Sequence, residues 1–279
     1  MKLNEFAKLF DKELRKHLSG IEIYEPLKES VSYTPLLGGK RLRPYLLYEL
    51  AQNTLFGSER ALLTGIAVEL FHSGSLIHDD LPSIDNDDLR RGKPSCHIKF
   101  GEGRAILAGD FLMLYPARLL SSIELPCISK QKLLEMWSIS ALRVVQGEYA
   151  DVTPSESTEE FLDFIYDNKT SALFGFCFAA PYILDTDSSR ENMYELGMEF
   201  GRIFQMLDDI KDATSTMEEL GKTPGKDLKQ HKLSILSFLS IEEALVVAKR
   251  RFEDLTDRIA VHESLVHELQ GMYEILIRR

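Results

Sequence analysis

The residues best equipped for chemistry are aspartates, and they fall in two groups. The first lies in Asp79 to Pro94, DDLPSIDNDDLRRGKP, where Asp79, Asp80, Asp85, Asp87 and Asp88 crowd together and Arg90 and Arg91 follow at once. Anion-rich and cation-rich surface side by side is what a metal-bridged phosphate site needs. The second group, FQMLDDIKD, sets Asp208 and Asp212 at i, i+4 with Asp209 beside them, on a segment otherwise apolar at Leu196, Phe200, Ile203, Leu207 and Ile210. Like charges at that spacing repel unless a counterion joins them. Hard carboxylate oxygens suit magnesium (Mg2+), which is usually held by one or two carboxylates plus substrate phosphates. Either group alone reads as well as a solvated acidic surface. The two together point to shared metal chelation.

Basic residues supply the complement. GGKRLRP, Gly38 to Pro44, offers Lys40, Arg41 and Arg43 after a glycine turn, where the start of a helix favours an anion. Lys169 and Thr170 open the apolar stretch ALFGFCFAA, and Lys222 and Lys226 sit in GKTPGKD. His72, Ser75, Leu76 and Asp79 share one helical face, so His72 is either a satisfied core residue or a donor to a second phosphate group. Two kinds of phosphate holder are thus present: carboxylate plus metal, and direct guanidinium or ammonium contact.

The elements that must position these groups read as helix after helix, with no convincing period-two strand, so the class is all-α. Helices are predicted over roughly 2–18, 26–34, 41–52, 59–80, 103–122, 130–150, 158–184, 189–213, 234–260 and 264–278. Pro82 should stop the fourth near Asp80 and leave the later aspartates on a loop. Capping boxes are expected at Ser157 with Glu160, Ser188 with Glu191 and Ser240 with Glu243. With no long linker, repeat or composition shift, residues 1–279 read as a single domain, a large bundle with functional loops gathered at one end.

Composition narrows the partners. The 279 residues are 44% hydrophobic and 28% charged, ordinary for a globular core. A net charge of −11 argues against a nucleic-acid surface, so an anionic ligand must be met locally. Cys96, Cys127 and Cys177 form no CxxC pair, which suggests neither a disulfide framework nor a zinc site and fits a reducing cytosol. The N-terminal MKLNEFAKLFDKELRKHL lacks the apolar core and cleavage site of a signal peptide. The run Ala172 to Leu184, broken by Pro181, is too short for a bilayer. A cytoplasmic protein without a membrane span is expected.

GGKRLRP, SLIHDDLPSIDNDDLRRGKPSCH, KTSALF, FQMLDDIKD and GKTPGKD occur in an order that resembles the trans-isoprenyl diphosphate synthases, the polyprenyl synthetase family that includes farnesyl and geranylgeranyl diphosphate synthases. The resemblance covers essentially the whole chain. It implies an all-α isoprenoid-synthase bundle with a central cavity, a homodimer, and condensation of isopentenyl diphosphate with an allylic diphosphate (dimethylallyl, geranyl or farnesyl). By the same resemblance Asp79, Asp85 and Asp208 hold magnesium, with Asp80, Asp209 and Asp212 behind them. Arg90, Lys169 and Lys222 look like contacts to the allylic diphosphate, while Lys40, Arg43, His72 and Arg91 match the isopentenyl diphosphate pocket. The Thr170 carbonyl and Gln205 suit stabilisation of an allylic cation.

Product length turns on the residues before Asp79. Farnesyl synthases of the bacterial type usually place an aromatic at the position of Gly74, so Gly74 and Ser75 should leave the channel open, with Phe71, Phe111 or Tyr115 as a lower floor. A twenty-carbon geranylgeranyl product is expected, and Glu148 in GEYAD, where short-chain relatives more often have glutamine, agrees. If Gly74 instead serves close helix packing, a fifteen-carbon farnesyl product follows. A class I terpene synthase is disfavoured by the GGKRLRP set, and a non-catalytic regulatory subunit by the two intact aspartate motifs.

Overall fold

Every fourth residue of helix α1 (Leu3–Gly20) from Phe6 to Leu18 is buried, and Phe6 stacks on Phe10 and meets Tyr45 and Tyr48 of α3 (Leu42–Ala51). The computed structural model describes residues 1–52, 54–185, 192–214, 232–259 and 263–277. By their packing these form two compact units, Met1–Glu135 with Pro181–Leu184, and Met136–Ala180 with Asp185–Arg279.

In the first unit, α2 (Glu25–Tyr33) leads through a 3-10 turn, Pro35–Leu37, into the glycine loop and α3. Helix α4 (Gly57–Asp79) is the axis: it packs on α3 and on α6 (Glu102–Ser122) and is buried along most of its length. Small residues permit that approach. A Cβ on Gly65 would lie 2.9 Å from Pro44 Cβ, and one on Gly109 would strike the His78 ring. By length and composition α4 could cross a membrane; 67% of its apolar window is buried inside the protein, which accounts for its character as a core helix. The run singled out in the sequence, Ala172 to Leu184, is a buried core segment whose α-helical part is only Ala172–Ala179.

Pro82 ends α4 as expected, with Asp80 as its C-cap. The loop then doubles back, Asp85 N–H bonding to Asp79 O at 2.9 Å and Asp87 N–H to Asp80 O at 3.1 Å. A two-residue ladder, β1 (Leu89–Arg90) with β2 (Lys93–Pro94), closes through Arg91 and Gly92, both at positive φ. That is the backbone twist a tight hairpin requires. The short α5 (Cys96–Phe100), which periodicity did not reveal, leads into α6.

Helix α7 (Cys127–Val152) runs on into the second unit, where Trp137 meets Phe176, and Phe174 and Phe178 meet Phe200. The helix expected over 158–184 is interrupted. It comprises α8 (Glu159–Ile165), a π-helical turn Tyr166–Ser171, α9 (Ala172–Ala179) and a 3-10 turn at Ala180–Tyr182. Its cap is Thr158, whose hydroxyl accepts from Phe161 N–H at 3.2 Å, and not Ser157. Helix α10 (Met193–Thr214) packs on α9 and α11 (Ile241–Arg258), and α12 (Glu263–Ile277) follows. The helix expected from 234 begins only at Ile241, after a 3-10 turn at Ile235–Ser237; the Ser240–Glu243 capping box is present. Ser188 and Glu191 lie outside the described residues.

Candidate active site

The first acidic group is built where α4 stops. Asp79 and Asp85 are half-buried and joined through their backbones. Asp80 is buried and turned inward: Arg90 Nε donates to its two oxygens at 3.0 and 3.2 Å, and Nη2 adds a further bond. Burial pushes the Asp80 carboxyl upward, and the Arg90 guanidinium works against that. Arg90 also faces Asp87 at 3.8 Å. The arginine assigned by resemblance to a diphosphate is thus also the clamp that shapes the aspartate loop.

The basic loop divides its labour. Arg41, at φ 52°, is turned into the protein, where Nε donates to Asp11 at 2.8 Å, Nη2 to Pro35 O at 2.7 Å, and Nη1 to Glu69. It is therefore a structural arginine; the resemblance assigns Lys40 and Arg43 of GGKRLRP, and not Arg41, to a diphosphate. Lys40 is exposed and Arg43 half-buried. His72 lies close enough to Arg43, Arg91, Arg90 and Arg41 that, after burial itself, their charges hold its pKa well below 6.5. A neutral imidazole ringed by guanidinium groups is suited to receive an anion, whose charge would restore the proton.

In the second unit the π-helical turn carries Lys169 and Thr170, and glycines hold it in place. A Cβ on Gly147 of α7 would lie 2.0 Å from Lys169 N, and one on Gly201 of α10 would lie 2.5 Å from Ser171 Cα. Lys169 Nζ pairs with Glu148 at 2.8 Å and with Asp151, to which Lys232 adds a contact of 3.1 Å. Burial alone would raise the Asp151 carboxyl, but the two lysines hold it below its ordinary range. Thr170 Oγ1 donates to Gln205 Oε1 at 2.6 Å, and Gln205 Nε2 donates to Asp209 at 2.9 Å. The resemblance implies a role for the Thr170 carbonyl; the hydroxyl also has one, fixing the Gln205 amide.

Asp208 is exposed, Asp209 is turned inward and Asp212 is buried. Asp209 accepts from the Tyr166 hydroxyl, from Gln205 and from Ile235 N–H at 3.1 Å. Burial pushes its pKa up to about 7 against those hydrogen bonds, and Asp208 adds to the rise. The three carboxylates thus differ in their surroundings, while the unbroken α10 keeps Asp208 and Asp212 one turn apart on one face. Tyr166 and Glu69 were missed because their partners are distant in the chain. Lys222 and Lys226 lie outside the described residues.

The donor set fits magnesium. Its carboxylate oxygens are hard, and magnesium is usually held by one or two carboxylates together with substrate phosphates; among the described residues no group of three or more acidic, histidine or cysteine side chains is placed to hold an ion.

Residues 24–274 match the family described as polyprenyl synthetase. The chain belongs to that family. This synthetase is 36% identical over 265 residues to a geranylgeranyl diphosphate synthase of Cyanophora paradoxa, spanning 90% of this chain and 87% of the other. It is 35% identical over 280 residues to a farnesyl diphosphate synthase of Bacillus subtilis, spanning 96% and 94%. A geranyltransferase from Helicobacter pylori, solved complexed with magnesium and isoprenyl diphosphate, is 28% identical with a TM-score of 0.80 over 98% of this chain and 95% of that one. The synthetase is an all-α prenyltransferase of the short-chain type.

The room expected at Gly74 is taken up by α6. A Cβ there would meet Gly109 O, Leu112 Cβ and Met113 Cγ, each at 3.0 Å. Phe71 is buried, and Phe111 stacks on Tyr115, whose hydroxyl pairs with His17 Nε2 at 3.1 Å.

Proposed function

We propose that the synthetase condenses isopentenyl diphosphate with an allylic diphosphate and stops at fifteen carbons. The observation that carries the enzyme reading is the matched design of the two acidic groups. In each, one aspartate (Asp80 or Asp209) is fixed by hydrogen bonds, and other carboxylates stand on the same loop or helix. Asp79, Asp85 and Asp208 would hold magnesium, as the Helicobacter pylori relative solved with that ion supports. When bound, the metal neutralises charge on the departing diphosphate.

The chain's own groups do the rest. Lys169, poised by Glu148 and Asp151, and Arg90 meet the allylic diphosphate; Lys40, Arg43, His72 and Arg91 hold isopentenyl diphosphate. The allylic C–O bond breaks as negative charge builds on the leaving group, which fixed cations stabilise in advance. Gln205, its amide fixed between Thr170 and Asp209, presents a dipole and no nucleophile to the allylic cation. The isopentenyl double bond forms the new C–C bond, and a proton leaves to the released diphosphate.

Fifteen carbons rather than twenty rests on Gly74, where Leu112 and Met113 occupy the space a side chain would have filled. Relatives of both product classes match equally well, and a twenty-carbon product stands as the second reading because methionine is adaptable. A homodimer is supported by Ile139, Leu142, Val145, Tyr149 and Val152, an exposed apolar stripe at helical spacing on α7. Three free thiols suit the cytoplasm.

The test is product analysis: protein, magnesium, isopentenyl diphosphate and each allylic primer, with dephosphorylated alcohols separated by length. A fifteen-carbon alcohol is expected. A twenty-carbon product moves the floor below Gly74, and no product from the protein alone favours a regulatory subunit.

A further inference from the structure

Two residues of the first unit that are not glycine and adopt positive φ, Arg41 at 52° and Arg91 at 54°, send their side chains to one carboxylate, that of Glu69 on α4. Glu69 is 3% exposed, and nothing in the sequence pattern marks it. Arg41 is held by Asp11, Pro35 O and Glu69, so its charge already has a second acidic partner. Arg91 is different. Its Nη2 stands 3.8 Å from Glu69, and its Nη1 is buried with no hydrogen-bond partner among the described residues.

Gly39 supplies the surface on which that guanidinium rests. A Cβ at Gly39, φ 137°, would lie 2.8 Å from Arg91 Cζ, 2.8 Å from Nη2 and 3.0 Å from Nη1. Near-equal distances to three atoms mean that the guanidinium plane lies face-on over the glycine. The exposed Lys40 follows directly, so a second cation stands beside the loop that cradles the first.

Resting on the reading of Arg91 as an isopentenyl diphosphate ligand, we propose that Glu69 is a positioning residue for that subsite. Its carboxylate holds the Arg91 guanidinium against Gly39, so that this partly exposed side chain meets the diphosphate already aimed. A guanidinium held in place loses less rotational freedom on binding, and its planar fork suits phosphate oxygens. Glu69 acts through Arg91 and touches no substrate. Because Asp11 shares the charge of Arg41, the Glu69 carboxylate bears on Arg91 as well, opposing the burial that pulls the Arg91 pKa down.

The experiment is steady-state kinetics on the full chain carrying Glu69→Gln, Arg91→Lys or both, with KM measured separately for isopentenyl diphosphate and for the allylic primer. Each single variant is expected to raise the isopentenyl diphosphate KM about tenfold, roughly 1.4 kcal/mol, and leave the allylic KM within about twofold. Acting through Arg91, Glu69→Gln should add nothing in the double variant beyond Arg91→Lys alone. Additive effects, or an equal rise in both KM values with Glu69→Gln, overturn the proposal. Should Arg91→Lys raise only the allylic KM, the subsite reading itself fails. If Glu69→Gln does not fold, Gly39→Ala, which removes the cradle from a surface loop, must give the same selective rise; its absence is equally decisive against the proposal.

Discussion

In the pairs Asp79–Asp80 and Asp208–Asp209 the second aspartate is spent on the protein: Asp80 on Arg90, Asp209 on Tyr166, Gln205 and the Ile235 amide. The pairs are therefore not redundant. Asp79→Ala and Asp208→Ala should cut turnover by roughly a thousandfold, about 4 kcal/mol of barrier, while the helical circular dichroism is unchanged. Turnover near that of the parent protein would remove the metal assignment. His72 gives a pH signature. Burial, then the charges of Arg43, Arg91, Arg90 and Arg41, place its folded pKa well below the ordinary 6.5, so the unfolded chain takes up the proton first. The stability linked to neutral His72 is whole above about pH 6.5 and is lost as pH falls toward the folded pKa. A melting series for His72→Gln should decline less between pH 6.5 and about pH 5 than the parent; parallel curves would exclude the effect.

At the scale of elements, the π-helical turn is the feature that most directly places chemistry, since it presents Lys169 and Thr170 in successive positions, Lys169 to α7 and Thr170 to α10. Gly147→Ala should expel it, because the added methyl falls 2.0 Å from Lys169 N. A loss of about 1 to 3 kcal/mol in stability, with a larger fractional loss of turnover, is the expected result in denaturation and rate measurements. Met113→Ala should lengthen the product from fifteen to twenty carbons in the alcohol assay, and an unchanged product would move the floor elsewhere. The sequence showed the aspartates, the helices and the Ser240 cap because those signals are local. It could not show the π turn, since Leu162 and Ile165 before it, Tyr166 at its start and Leu173 after it keep a helical spacing, nor the inward turn of Arg41, whose partners Asp11 and Glu69 come from other helices. At Gly74 the sequence leaves both an open channel and close helix packing, and the choice depends on α6, whose Leu112 and Met113 pack against it.

For the whole molecule, the exposed apolar stripe on α7 is what supports the proposed homodimer. Leu142→Glu with Tyr149→Glu should shift the protein from dimer to monomer in sedimentation velocity, while a parent that already sediments as a monomer would end that reading. The hairpin that carries Arg91 has a different consequence. Its first central position, at φ 54°, is one where asparagine or glycine is at ease and arginine is under strain. Selection for heat tolerance alone would thus replace the arginine with the residue the turn prefers, and selection for growth that depends on the enzyme's turnover would put it back. The two pressures meet at one backbone angle, so a library screened under both in alternation should show position 91 switching more often than any neighbour in the loop.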